Sequence, residues 1–401
     1  MPLPHSLSPS LAAAIRPEAL NAPESGIVEV FNYGRTRQGL IPLWAGEGDM
    51  ATPSFIVDEA TRSLAAGETF YTYQRGLPEL QGAISRYMSR LYGRELAPER
   101  FNASIGGMHA LQMAIRIAAG TGDEVLVPSP AWPNFIGALV VAGATPVEAP
   151  MTLDPTKAAG GWYLDLERLA AAVTPRTRAI IVNSPANPTG WTATREELSF
   201  ILDLARRHGL WIIADEIYGR FVFGGAALAP SFHDIMDDED RILFVQTFSK
   251  NWAMTGWRLG WLECHPSLGQ TVENLMQYSC SGVAAFLQRA GVVALERGEG
   301  FVEHQIAKVA RNREIVCRAL SALPGVSFAP PAGAFYLFFS VEGETDTRSL
   351  ALRLVDEANV GLAPGTGFGA GGEDYLRLCF ARKGDDLIEA TRRLAGVLGR
   401  R

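Results

Sequence analysis

At 401 residues, 47% hydrophobic and 20% charged, the chain reads as an ordinary globular protein long enough for two domains. A net charge of −7 argues against wrapping nucleic acid or adhering to an anionic membrane, so any anionic ligand must be met by local arginines and lysines. Four cysteines without C-x-x-C spacing give no zinc pattern, and no uninterrupted apolar run reaches the length of a membrane span, so the expectation is a soluble cytoplasmic protein with no metal site.

Residues 1–45 mix prolines, short helical pieces and a Glu24-Ser25-Gly26 turn, as in an N-terminal arm. Leu43-Trp-Ala-Gly-Glu-Gly-Asp-Met50 breaks from an apolar segment into glycines and acids, where a backbone can approach a ligand closely. An amphipathic helix is expected over 54–66. Gly76-Leu-Pro-Glu79 reads as a turn into a second helix, about 78–92, with proline in its first turn. A short strand over 101–105 is followed by Gly106-Gly107 and a helix beginning at Met108. Backbone N–H groups at such a helix start can hold a phosphate, although many strand–helix turns carry glycine.

From there the pattern alternates. Strands are expected at 123–127, 145–148, 178–182, 210–214 and 242–245, separated by helices at 134–142, 166–173 and 194–208. Thr194 and Glu197 form a capping-box pair at the start of the last helix. Repeated β-α units imply a mostly parallel sheet covered by helices, with ligand residues gathered at the strands' carboxyl ends. The last hundred residues differ. A helical stretch over 284–322 breaks near 297–300, strands follow at 334–340 and 375–380, and a helix closes the chain at 384–398. The expected division is an N-terminal arm and part of a small domain at 1–47, a large α/β domain at 48–285, and a smaller α+β domain at 286–401.

The strand ends carry the chemistry. One strand runs into Trp132, the next into Asn183-Ser-Pro-Ala-Asn187, the next into Asp215-Glu-Ile-Tyr218, and the last into Thr247-Phe-Ser-Lys250 with Arg258 beyond it. A lysine at a strand's end is placed to form a Schiff base with an aldehyde. Hydroxyls and an arginine around it suit a phosphate. A buried aspartate after an apolar run is costly unless paired, and a protonated ring nitrogen is a suitable partner. Together these groups suggest pyridoxal 5′-phosphate.

Read together, these motifs resemble those of the class I/II aminotransferases, the aspartate-aminotransferase-like enzymes of fold type I that use pyridoxal phosphate. The matching stretches are Ala45–Met50, Tyr71–Leu80, Ile105–Gly107, Asn187-Pro-Thr-Gly190, Asp215–Tyr218, Ser249-Lys250 through Arg258, and Tyr375-Leu-Arg-Leu378, in the family's order. The resemblance implies a large domain with a mostly parallel seven-stranded sheet and a smaller α+β domain. It implies that Lys250 bonds the cofactor, Asp215 pairs with its ring nitrogen, Asn187 and Tyr218 bind its phenolic oxygen, and Trp132 stacks on the ring. Arg258, Thr247, Gly107 and Met108 match phosphate positions, and Gly106 and Ser249 adjoin them. Arg377 and Gly46 match the substrate-carboxylate site, beside Asn187 and Trp132. Tyr71 matches a tyrosine that reaches the phosphate across a dimer interface, so a homodimer with shared active sites is implied.

The implied reaction moves an amino group from an L-amino acid to a 2-oxo acid by a ping-pong scheme. Met108 stands where acid-specific relatives often have lysine, and Tyr278-Ser-Cys-Ser-Gly282 lacks an arginine used by other dicarboxylate enzymes. A donor with a neutral side chain is therefore expected. An aspartate aminotransferase recruiting Arg35, Arg37 or Arg75 and a β-eliminating carbon–sulfur lyase on the same fold remain alternatives.

Overall fold

The structure is a computed structural model that describes residues 7–154 and 161–399. Its main sheet has seven strands: β1 (Phe101–Ser104), β2 (Glu124–Ser129), β3 (Thr145–Pro150), β4 (Thr177–Asn183), β5 (Trp211–Asp215), β6 (Ile242–Thr247) and β7 (Gly260–Glu263). They lie in the order β1-β7-β6-β5-β4-β2-β3, with β7 antiparallel to both neighbours and the other pairings parallel. Ala179–Val182, Ile212–Ala214 and Leu243–Val245 are buried throughout, because helices cover both faces of a parallel sheet.

The helices end where their sequences say they should. Pro78–Tyr92 has proline at its first position and left-handed Gly93 at its end. Arg195–His208 opens on the reciprocal Thr194–Glu197 capping box and closes on left-handed Gly209. The long helical stretch divides at Gly298 into Ala285–Arg297 and Glu299–Ser321. Strand β7 was not anticipated, nor were the helices Gly269–Gln277 and Thr347–Glu357.

A second, four-stranded antiparallel sheet follows, ordered β8 (Val326–Phe328), β9 (Tyr336–Val341), β11 (Tyr375–Cys379), β10 (Ala363–Pro364). The N-terminal arm is tied to this part of the molecule. Ile41–Pro42 pairs in parallel with Val360–Gly361. The Gly26–Gly34 helix is bonded to the Thr347–Glu357 helix, by Tyr33 Oη to Asp356 at 3.0 Å and by Arg348 Nε to Glu29 at 2.8 Å.

Behind β1 and β7 lies a buried ionic cluster. Glu263 accepts from Arg100 at 3.0 Å and lies 2.9 Å from His233 Nε2, while Ser231 donates to Glu216 at 2.6 Å. Burial alone would lower the His233 pKa, but Glu263 and Glu216 together raise it to about 9. Charge pairing of this kind leaves each member dependent on the others. The His233 contribution is fully present below its unfolded pKa of about 6.5 and is lost as pH rises through about 9. His233→Gln should therefore lower unfolding stability at neutral pH by about 2 kcal/mol. Denaturant titration should show the gap to the parent narrowing as pH rises past 9. A gap that stays constant across that range would remove the cluster from the stability account.

Candidate active site

The ends of β4, β5 and β6 and the start of the Gly106–Ala118 helix face a cavity of about 320 Å³. The second sheet and the arm close its other side through Trp44, Ala45, Gly46, Tyr336 and Arg377, and through Ser25, Ile27 and Val28. This is the crevice beyond the carboxyl ends of parallel strands, where open α/β sheets collect ligands.

Asp215 terminates β5 and is 2% exposed. Its Oδ1 accepts weakly from the Ile217 N–H at 3.4 Å and from Asn183 Nδ2 at 3.3 Å. Burial raises its carboxyl to about 7, opposed by the Ile217 hydrogen bond and by Lys250. Lys250, past the end of β6, is partly buried and donates to the Gly46 carbonyl at 2.6 Å. Burial lowers its amine to about 8. An acid and an amine are thus both brought near neutrality in one cavity, a clustering of perturbed groups typical of functional sites.

The phosphate-type residues form a separate corner. Gly106 opens the helix with φ +74°, a conformation that side chains rarely adopt, and it lies against the Arg258 guanidinium. Arg258 itself is left-handed, φ 54° and ψ 52°, an uncommon state for a residue with a side chain. It is exposed at the cavity mouth and donates to the Thr255 carbonyl at 2.8 Å. Thr247 Oγ1 donates to Ser249 Oγ at 2.9 Å, and both residues line the cavity with Gly107 and Met108. Two hydroxyls, a guanidinium and a helix N-terminus converge there, a set suited to an anion.

Arg377, on β11, is 3% exposed. It donates to Asn187 Oδ1 at 2.9 Å and to the Trp44 carbonyl. Its guanidinium lies between the Tyr336 and Phe368 rings, 4.7 and 4.9 Å from their centroids. Its Nε is buried with no hydrogen-bond partner among the described residues. Trp132 and Tyr218 also line the cavity. Tyr71 does not; it is 94% exposed.

Several lining residues carry no sequence signal of their own. Tyr336 sits in an apolar run that reads as core, and its hydroxyl lies 2.7 Å from that of Tyr218. Asn134, in the first turn of the Pro133–Ala142 helix, and Ile27 and Val28, in the arm, are ordinary residues until the fold brings them to the cavity. Among the described residues there is no cluster of His, Cys, Asp and Glu able to hold a metal ion, and no helix long and apolar enough to cross a membrane.

Comparison with known proteins agrees across nearly the whole chain. The family "Aminotransferase class I and II" matches residues 39–394. A probable aspartate/prephenate aminotransferase of Aquifex aeolicus is 35% identical over 98% of this chain and 96% of its own length. The aromatic-amino-acid aminotransferase 2 of Thermococcus litoralis is 32% identical over 97% of this chain and 98% of its own. The crystal structure of aspartate aminotransferase from Thermotoga maritima superposes with a TM-score of 0.89 at 31% identity, covering 96% of this chain and all of that one. The chain belongs to the class I and II aminotransferases and is an enzyme that moves amino groups between amino acids and 2-oxo acids.

Proposed function

We propose that the chain is a pyridoxal 5′-phosphate enzyme whose preferred amino donor has a neutral, apolar side chain. The observation that carries the cofactor reading is Asp215, a buried carboxylate with two weak donors and a pKa raised to about 7. A protonated ring nitrogen supplies the partner it lacks. The anion-type corner at Gly107, Met108, Thr247, Ser249 and Arg258 fits the phosphate, with Gly106 giving the turn its clearance. Tyr218 and Asn187 fit the ring oxygen, and Trp132 offers a flat face for stacking.

When bound, that cofactor supplies an electron sink that acidifies the amino acid's α-carbon. The side chains do the rest. Arg377 and the Gly46 backbone hold the α-carboxylate, a task for which a planar guanidinium is well suited. Lys250 Nζ, lowered to about 8, is the base that removes the α-proton. Asp215 would stay ionised once paired and would keep positive charge at the ring nitrogen. The amino group waits in the site between two substrates, giving ping-pong kinetics.

The donor preference rests on the cavity wall. Among the described residues its cations are Lys250, Arg258 and Arg377, each with a role already assigned. Ile27, Val28, Met108, Trp132 and Pro133 are among the apolar residues of its wall. Arg37 pairs with Asp356, and Arg75 donates to Asn102 at 2.7 Å; neither they nor Arg35 lines the cavity. The side-chain carboxylate of aspartate would be left unpaired on closure, which is expensive.

The exposed aromatics Phe70, Tyr71, Tyr73 and Tyr278 support a homodimer in which Tyr71 reaches the partner's phosphate site. We further propose a cytoplasmic location and the division into 1–47, 48–285 and 286–401.

Three outcomes check this reading. Borohydride reduction of the loaded protein, followed by peptide mapping, should label Lys250 and not Lys308 or Lys383, nor Lys157, which lies outside the described residues; Lys250→Ala should lose activity by ~10²–10⁴-fold while retaining cofactor. Asp215→Ala should slow proton transfer by orders of magnitude, on the order of 10³-fold, with Asp215→Glu retaining more; near-parent transamination by the alanine variant would make the residue structural only. In a donor panel, kcat/KM for alanine, leucine or phenylalanine should exceed that for aspartate, and the reverse order would overturn the neutral-donor assignment.

A further inference from the structure

Tyr336 is 0% exposed and lies on β9, within the second sheet, yet it belongs to the wall of the cavity beyond the first. Three contacts meet there. The Tyr218 hydroxyl is 2.7 Å away. The Arg377 guanidinium rests over the ring at 4.7 Å. A Cβ on residue 46 would come within 2.5 Å of the phenol oxygen, so Gly46 gives way to it while its carbonyl accepts from Lys250.

The segment leading into Tyr336 is fastened to the loops of the large sheet. Ala332 and Gly333 N–H both donate to the Gly190 carbonyl, at 3.2 and 3.1 Å. Ala334 N–H donates to the Phe221 carbonyl at 2.8 Å, and Phe223 N–H to the Ala332 carbonyl at 3.1 Å. These bonds reach the loop holding Asn187 on one side and the loop holding Tyr218 on the other. The position of the Tyr336 phenol relative to Tyr218 is therefore set by backbone, not by a flexible side chain.

Two hydroxyls joined by one hydrogen bond have one hydrogen to spare. We propose that Tyr336 is a positioning residue that acts through Tyr218, donating its hydrogen to Tyr218 Oη and leaving the Tyr218 hydrogen free to point into the cavity. This rests on the cofactor reading above, in which Tyr218 donates to the ring oxygen. A phenol that accepts one hydrogen bond donates a stronger one, because chained bonds polarise each other. Tyr336 thereby connects the carboxylate grip at Arg377 with the group that tunes the cofactor. The charged or titratable groups facing Tyr218 are Tyr336, Asp215, Arg377 and Lys250, and those facing Tyr336 are Arg377, Cys379, Tyr218 and Asp215. Tyr336→Phe leaves all of the others in place and keeps the ring beneath Arg377.

The test is the pH midpoint of the absorbance change of protein loaded with pyridoxal 5′-phosphate. Donation to the ring oxygen favours the form that has lost its proton at the lysine–cofactor link, because it stabilises the negative charge left behind. Weakening that donation should raise the midpoint. Tyr336→Phe should raise it by roughly half a pH unit and lower kcat about fivefold, with KM little changed. Tyr336→Leu, which also removes the ring beneath Arg377, should raise KM as well. In a Tyr218→Phe background the Tyr336→Phe change should shift the midpoint no further, as expected for two groups on one path. A midpoint unmoved by Tyr336→Phe but moved by Tyr218→Phe would overturn the inference, and so would an equal shift in both backgrounds. A parent protein that takes up no cofactor would instead overturn the cofactor reading on which the inference stands.

Discussion

A carboxylate with almost no exposure to water stands at the end of the central strand β5, and much of the site can be understood as an answer to it. Burial drives the Asp215 carboxyl up to about 7 and the Lys250 amine down to about 8. Neither charge is comfortable alone, and the parallel sheet is what forces both into one crevice. Strands β4, β5 and β6 are adjacent and run the same way, so the residues following them emerge side by side. In the proposed reading, a protonated ring nitrogen would pair with Asp215 and an aldehyde carbon would take up the Lys250 amine, which would relieve both groups. The same buried pair that is unfavourable in the bare protein would, on that reading, carry the chemistry of the loaded one.

The large sheet supplies only half of the cavity. The opposite wall comes from β9, β11 and the arm, and two kinds of contact hold it in register. Backbone hydrogen bonds run from residues 332–334 to Gly190 and Phe221. Side-chain contacts converge on Arg377, which reaches Asn187 and the Trp44 carbonyl while flanked by Tyr336 and Phe368. The arm, the small sheet and the strand-end loops therefore meet at one guanidinium. If Arg377 holds the substrate carboxylate as proposed, its geometry would bear on which bond at the α-carbon is presented for cleavage.

The alternation of strands and helices was legible because both the apolar runs and their terminators are local. Pro78 and the Thr194–Glu197 capping box mark helix starts within a few residues of the helices they begin. Strand β7 was not, because Gly260-Trp-Leu-Glu263 is short and ends in a charge. Glu263 is tolerated there only through Arg100 and His233, partners that the linear sequence does not bring near. The same division runs through the site. Asp215, Asn187 and Lys250 follow strands and announce themselves by polarity after apolar runs. Tyr336 gives no such signal, being an aromatic among aromatics, and its meaning comes from a hydroxyl 118 positions away in the chain. Ile27 and Val28 reach the cavity on a helix bonded to Thr347–Glu357, an element itself not anticipated.

The central claim is that this crevice stores an amino group between two substrates. The most direct measurement is a half-reaction: protein loaded with pyridoxal 5′-phosphate is mixed with a neutral amino acid and no oxo-acid acceptor, and products are counted against active sites. One equivalent of the matching 2-oxo acid per site, with no ammonia and no further turnover until an acceptor is added, is the expected result. Sustained release of oxo acid and ammonia without an acceptor would contradict the account and assign the same residues to elimination instead.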